Sequence, residues 1–127
     1  MNKIKSFDID GVINLDGFGV GVRPGPDDVI ITGRSYQERI ETLKFLRDNN
    51  INNEVFFNPL PFDEKSRKSS GEHKGKTLNK LKDAGYDVQM HFEDDIEQIK
   101  EIAKACPWLF VVHVNTNGLI ELENVKR

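Results

Sequence analysis

Two aspartates stand two positions apart in Phe7-Asp8-Ile9-Asp10-Gly11-Val12. In an extended chain residues i and i+2 face one side, so Asp8 and Asp10 converge at the end of a strand. Carboxylates held that close repel unless a cation lies between them or one keeps a proton. The same residues also read as a plain turn rich in Asp and Gly. A second acidic cluster, Glu93-Asp94-Asp95, follows Phe92 at another apparent strand end; its alternative is an acidic helix start that complements the helix dipole. Thr32-Gly33-Arg34 closes a third apolar run, putting a hydroxyl where a helix N-terminus favours an anion, although Thr-Gly also serves turns. The fourth element is a lysine. Lys74 lies four residues before Leu78 and seven before Leu81, so it extends an inward-facing stripe by one turn, whereas Lys76 points elsewhere, to solvent.

These residues need elements to hold them, and apolar clusters alternating with helical patterns predict an α/β, three-layer, Rossmann-like fold with a mostly parallel sheet of about five strands. Strands are expected at Ile4 to Ile9, Val29 to Thr32, Glu54 to Phe57, at Val88, Met90 and Phe92 in alternation, and at Leu109 to Val114. The glycine-rich stretch after the first strand leads to Val20 to Val22, which reads as part of a short hairpin or flap before the Pro24-Gly25-Pro26 breaker. Ser35 caps a first helix whose Ile40, Leu43 and Leu46 share a face, ending at Asn49-Asn50. Asn58 to Glu72 reads as a polar loop, with a second helix from His73 to Ala84 stopped by Gly85. Ile96, Ile99 and Ile102 mark a third helix, and Gly118 to Val125 could add an edge strand. In an open sheet of this kind ligands bind outside the carboxyl ends of the strands, so all four chemical elements can meet in one crevice.

The chain of 127 residues suits a single domain. Eighteen basic against twenty-one acidic side chains give −3, so no global field drives it onto nucleic acid or anionic membrane. The longest apolar stretch, Trp108 to Val112, cannot span a bilayer, and the first ten residues lack a signal-peptide core; a soluble, cytoplasmic protein is expected. Cys106, without a partner for a disulfide, reads as a buried thiol in a reducing compartment. His91 and His113 lack metal-ligand spacing and read as structural. The basic run Lys65, Arg67, Lys68, His73 reads either as a phosphate patch or, since Asp63, Glu64 and Glu72 interleave, as a solvated loop.

The order Asp-x-Asp, Thr, Lys, Asp-Asp resembles the four motifs of haloacid dehalogenase-type phosphatases: Asp8-Ile9-Asp10-Gly11-Val12, then Thr32, then Lys74, then Glu93-Asp94-Asp95, over residues 4 to about 115. The polar Lys5 and Ser6 in the first strand depart from that family's usual apolar run. The resemblance implies that Asp8 attacks phosphorus to form an aspartyl-phosphate, while Asp10 protonates the leaving oxygen and later activates water. It implies Mg²⁺ on the Asp8 carboxylate, the Asp10 backbone carbonyl and Asp94, with Asp95 bound directly or through water. Thr32, the Gly33 amide and Lys74 would hold the phosphoryl oxygens, and Arg34 would contact substrate.

Twenty-one residues separate Asp10 from Thr32, and the forty-one between Thr32 and Lys74 are largely a helix and a strand, so the chain resembles a capless member. An open crevice suits a bulky substrate. Ile31-Thr32-Gly33-Arg34-Ser35 and the Asp-Asp pair are also similar to the phosphatase half of polynucleotide kinase-phosphatases, which implies a nucleotide or a polynucleotide 3′-phosphate. The alternative is a sugar phosphate or other small metabolite, handled by a homo-oligomer that supplies the lid. Two rivals come from other classes. A receiver-type signalling domain has similar residues but places its lysine last, whereas Asp94 and Asp95 follow Lys74 here. An inactive relative that only binds phosphate would differ by its lack of turnover.

Overall fold

The computed structural model describes residues 3–115. One sheet of five strands contains β1 (Lys3–Phe7), β2 (Val29–Ser35), β3 (Val55–Asn58), β4 (Asp87–Glu93) and β5 (Phe110–His113). Their order is β3-β2-β1-β4-β5 and every pairing is parallel. Helices α1 (Arg39–Asp48), α2 (Arg67–Asp83) and α3 (Ile96–Ala105) complete the α/β, Rossmann-like arrangement. The chain builds outward from β1 to β3 and then crosses to the far side of β1 for β4. Winding therefore reverses between β1 and β4, and the crevice outside such a boundary is where open α/β sheets bind ligands.

Alternation along the strands divides the core in two. Ile4, Val29, Ile31 and Val88 pack with Leu78 and Leu81 of α2 and Ile102 of α3. Phe7, Ile9, Ile13 and Ile30 pack with Leu46 of α1 on the opposite face. Burying each such side chain is worth roughly 1.5–3 kcal/mol, so both helical layers are held by apolar burial. Phe7 and Phe92 stack with ring centroids 4.7 Å apart, joining β1 to β4 on the α1 side. Among the described residues no helix is long and apolar enough to cross a membrane.

Four elements differ from their expected form. Strand β1 stops at Phe7 rather than Ile9. The Asp8 amide still donates to the Phe92 carbonyl at 3.0 Å, but the Ile9 carbonyl then accepts from Val12, Ile13 and Asn14 in a tight turn. The second helix begins at Arg67, not His73, so the second half of the expected polar loop is helical. Ser66 and Ser69 form a reciprocal capping box there, and the buried face of the first turns is made of Ser70, Gly71 and Lys74, which carry no apolar signal.

On α1 the face turned inward holds Thr42 and Leu46, while Ile40 is 75% exposed and Leu43 38% exposed. A 3-10 turn at Tyr36–Glu38, capped by Ser35, precedes the helix, and within it the i+3 spacing of Ile40, Leu43 and Leu46 drifts by about 60° per step away from the buried face. In β4 a bulge pairs Ile4 with Val88 but Lys5 with Met90, leaving Gln89 extra. The expected alternation of Val88, Met90 and Phe92 is therefore broken. Val88, His91 and Glu93 are buried, and Phe92 turns to the α1 side.

The short hairpin around Val20 to Val22 is present: Asn14 bridges Val20, and the Gly21 and Val22 amides donate to Ile13 and Val12. Cys106 is a buried thiol whose Sγ meets the Gly75 carbonyl at 3.3 Å, and burial pushes it up to about 11. The expected edge strand at 118 to 125 lies outside the described residues.

Candidate functional site

The ends of β1, β2 and β4 open onto a crevice of about 240 Å³ lined by Asp8, Asp10, Gly33, Arg34, Lys65, Ser70, Lys74, Asp94, Asp95 and Gln98. Asp8 follows β1 and Asp94 follows β4, so the two flank the boundary where the winding reverses. Gly11 leaves room for the Asp94 side chain. It adopts φ +83, and a Cβ there would meet the Asp94 Oδ2 at 2.0 Å. Strand β2 is displaced where it reaches the site: Ile31 pairs with Phe56 and Ser35 with Asn58, so the stretch from Thr32 to Arg34 faces a single β3 residue. That bulge puts Gly33 and Arg34 on the crevice wall.

Lys74 is 1% exposed and lies 3.0 Å from Asp8 and 2.7 Å from Glu93, and its ammonium also donates to Gln98 at 2.6 Å. Those three acceptors match its three N–H bonds. Lys76 is exposed and is not part of the crevice. Behind Glu93 the chain of hydrogen bonds continues into the core: His91 Nε2 to Glu93 at 3.2 Å, and His91 Nδ1 to the Ser6 hydroxyl at 2.7 Å. An ionised carboxylate only accepts, so His91 Nε2 carries the proton and Nδ1 accepts from Ser6. The two polar residues that interrupt or end the apolar strands, Ser6 and Glu93, are thereby both satisfied. His91 is structural, as expected, but structural to the site. His113 sits at the surface with Nε2 3.2 Å from the Asp94 carbonyl.

The charges in this cluster are unequal. Burial pushes the Asp8 carboxyl well above the usual range, against the pull of Lys74. Burial acts on Glu93 in the same direction, but Lys74 and the His91 hydrogen bond outweigh it and hold Glu93 well below that range. Lys74 rises because its two carboxylate neighbours overcome its own burial, and His91 falls because it is buried. Asp94 is lifted to about 6, first by burial and then by the Glu93 charge. One carboxylate oxygen each from Asp8, Glu93 and Asp94 lie within 4.8 Å of one another. Glu93 is committed to Lys74 and His91, which leaves Asp8 and Asp94 facing the crevice. Crowded carboxyls with a raised affinity for a proton have a raised affinity for a hard cation too, and an all-oxygen donor set suits one.

Asp10 is exposed and is gripped by Arg34 through two bonds, Nε to Oδ2 at 2.9 Å and Nη2 to Oδ1 at 2.7 Å. The hydrogen bond to Asp10 raises the Arg34 guanidinium above its usual value. Thr32 is fully buried and its hydroxyl accepts the Arg34 amide at 3.0 Å, so it shapes the bend after β2 and does not line the crevice. Ser70 of α2 lines it instead, against Gly33. Asp95 caps α3 through the Glu97 and Gln98 amides and forms a forked pair with Arg67, which lowers it. Both of its oxygens are thus engaged.

Comparison with protein-family models, with curated proteins and with solved structures finds no match. Sequence reasoning missed Glu93 as the partner of the lysine, together with Ser70 and Gln98. Glu93 carried a signal, since a glutamate directly after an apolar strand is buried or paired. Ser70 and Gln98 carried none. The basic run is split four ways: Arg67 pairs with Asp95 and Glu97, Lys65 turns inward to the Gly33 carbonyl and Glu38, Lys68 is exposed, and His73 is half-buried beside the Thr77 hydroxyl, with burial lowering it to about 4.

Proposed function

We propose that this chain is a magnesium-dependent phosphomonoester hydrolase with Asp8 as its nucleophile. The observation that supports it best is the buried ammonium of Lys74 held between Asp8 and Glu93, with a carboxylate oxygen of Asp94 within 4.8 Å of one from Asp8. A lysine so enclosed is no surface charge. It fixes the Asp8 side chain and offsets negative charge as a phosphate approaches. A magnesium ion held by Asp8, Asp94 and the Asp10 backbone carbonyl would offset repulsion between the nucleophile and its anionic substrate.

In this reading an Asp8 oxygen attacks phosphorus, the ester P–O bond breaks, and the departing oxygen takes a proton from Asp10. Water, with its proton drawn back to Asp10, then splits the acyl phosphate. For either transfer Asp10 must let go of Arg34, whose guanidinium is then free to grip the phosphate or the adjoining backbone. Gly33, with its backbone amide, and Ser70, with its hydroxyl, are on the wall where phosphoryl oxygens would lie. The substrate class we propose is a nucleotide or polynucleotide 3′-phosphate, because the crevice is open and Arg34 and Lys65 stand at it as cations. A reducing, cytoplasmic setting agrees with the lone buried thiol.

The test is a phosphatase panel with and without Mg²⁺, holding nucleoside monophosphates, sugar phosphates, phosphopeptides and 3′- or 5′-phosphorylated oligonucleotides. We expect turnover of the 3′-phosphorylated oligonucleotide, falling with added salt more steeply than turnover of p-nitrophenyl phosphate. Strong turnover of a sugar phosphate with none on oligonucleotides would replace the polynucleotide reading with the metabolite one. No turnover of any member would remove the enzyme itself.

Asp10→Asn separates the acid from the nucleophile. General acid catalysis is worth roughly 10² to 10⁴ in rate, and p-nitrophenolate leaves without it. Hydrolysis of alkyl phosphates should therefore fall by at least about 10²-fold more than hydrolysis of p-nitrophenyl phosphate. Equal losses on both would take Asp10 out of the acid role.

A further inference from the structure

A larger cavity lies away from the acidic crevice and shares no lining residue with it. It runs between α2 and the edge strand β3 and has a volume of about 570 Å³, within the roughly 300–1,000 Å³ usual for small-molecule sites. It arises because α2 is seated over β2 and against α3, so that β3 is incompletely covered. Phe56 and Phe57 are only half-buried, and Tyr36 meets Phe57 edge-on at 6.2 Å. These rings form an aromatic wall.

The opposite wall has a definite charge. Lys76 and Lys80, one helical turn apart on α2, both line the cavity, and no Asp or Glu does. In a chain with more acidic than basic side chains that is an uneven distribution. Neither lysine has an ion-pair partner among the described residues. An apolar slot with stacking surfaces on one side and two free ammonium groups at its rim is complementary to a flat ring that carries a negative charge. A neutral ring would satisfy the aromatic wall alone, and a simple inorganic anion the lysines alone.

We propose that this groove is a second ligand site, for a small aromatic anion whose ring stacks by Phe57 and Tyr36 and whose carboxylate or phosphate-type group pairs with Lys76 and Lys80. The proposal does not depend on the hydrolase reading, since it uses none of the crevice residues.

Binding of 2-naphthoate, 2-naphthylmethylphosphonate and the neutral 2-naphthamide can be compared by calorimetry and ¹H–¹⁵N NMR on the full chain. Both anions should bind at least about tenfold more tightly than the amide, the difference expected of one good charge-assisted contact. A preference between the two identifies the anionic group. Their amide shifts should fall on β3 and α2 from residue 73 to 84. Lys76→Gln with Lys80→Gln, both exposed and so compatible with folding, should bring the anions down to the affinity of the amide and leave the amide unchanged. Phe57→Ala should weaken all three. Unchanged anion affinity in the double variant, shifts confined to the residues around Asp8 and Asp94, or no saturable binding at millimolar concentration would each overturn the proposal.

Discussion

Asp8→Asn should fold and should lose phosphatase activity by at least about 10⁴-fold, the scale seen when a catalytic nucleophile is removed. The side chain is buried, and burial already works against its charged form, so an isosteric neutral amide is tolerated where it stands. Asn still offers one oxygen to the Lys74 ammonium 3.0 Å away. Loss of activity will therefore not be loss of structure, and a circular dichroism melt within a few degrees of the parent will show it. The parent should in turn lose turnover in excess EDTA and regain it with added Mg²⁺. Retained turnover in folded Asp8→Asn, or full activity in EDTA, excludes the proposed chemistry.

Lys74→Ala should be the most damaging single change to both stability and activity. Breaking a buried ion pair by removing one member costs about 3–5 kcal/mol, because the remaining charge is left without a partner. Here Glu93 is fully buried and Asp8 nearly so. Lys76→Ala, at an exposed position two residues on, should change stability by no more than about 0.5 kcal/mol. Because Lys74→Ala can fail to fold, Lys74→Gln combined with Glu93→Gln provides the separating case: it removes both charges together and should recover most of the stability while staying inactive. Activity in that double variant would mean that Lys74 serves the fold alone. Denaturant unfolding and p-nitrophenyl phosphate turnover on the three variants decide the matter.

Much of this arrangement is legible in the sequence because it is written in apolar periodicity. Val29 to Ile31 alternates between two cores, and Leu78 and Leu81 define the face of α2 that also carries Lys74. The inward register of that lysine can be counted along a helix. The features that escape such counting are written in polar or small residues. Ser70 and Gly71 bury the start of α2 without an apolar side chain, so the helix reads six residues short. Thr42 rather than Leu43 turns inward on α1, because Thr42 lies one i+4 step, about 40° around the helix, from Leu46, while each i+3 step back to Leu43 and Ile40 drifts by about 60°. Asp95 resembles a ligand by type, yet its position at the N-cap of α3 gives it amides and Arg67 to bind. Residue type is visible in a sequence, whereas competition for its lone pairs is settled only by neighbours distant along the chain.

The extra residue at Gln89 acts as a phase shift in a two-step lattice. Up to Val88 the strand is in register with Ile4, and beyond it His91 and Glu93 have exchanged faces with what an unbroken strand would present. Position 89 therefore adds length to the strand and no packing, since Gln89 itself is exposed. Any of many side chains at 89 should be tolerated. Deleting it leaves a regular strand in which Val88, His91 and Glu93 still share the α2 face and the pairing with Ile4 to Phe7 is kept. A deep substitution-and-deletion scan of β4, read by soluble expression and turnover, should find position 89 open to both replacement and deletion while deletion at 91 or 92 is rejected, an exception to the usual intolerance of a strand to a lost residue.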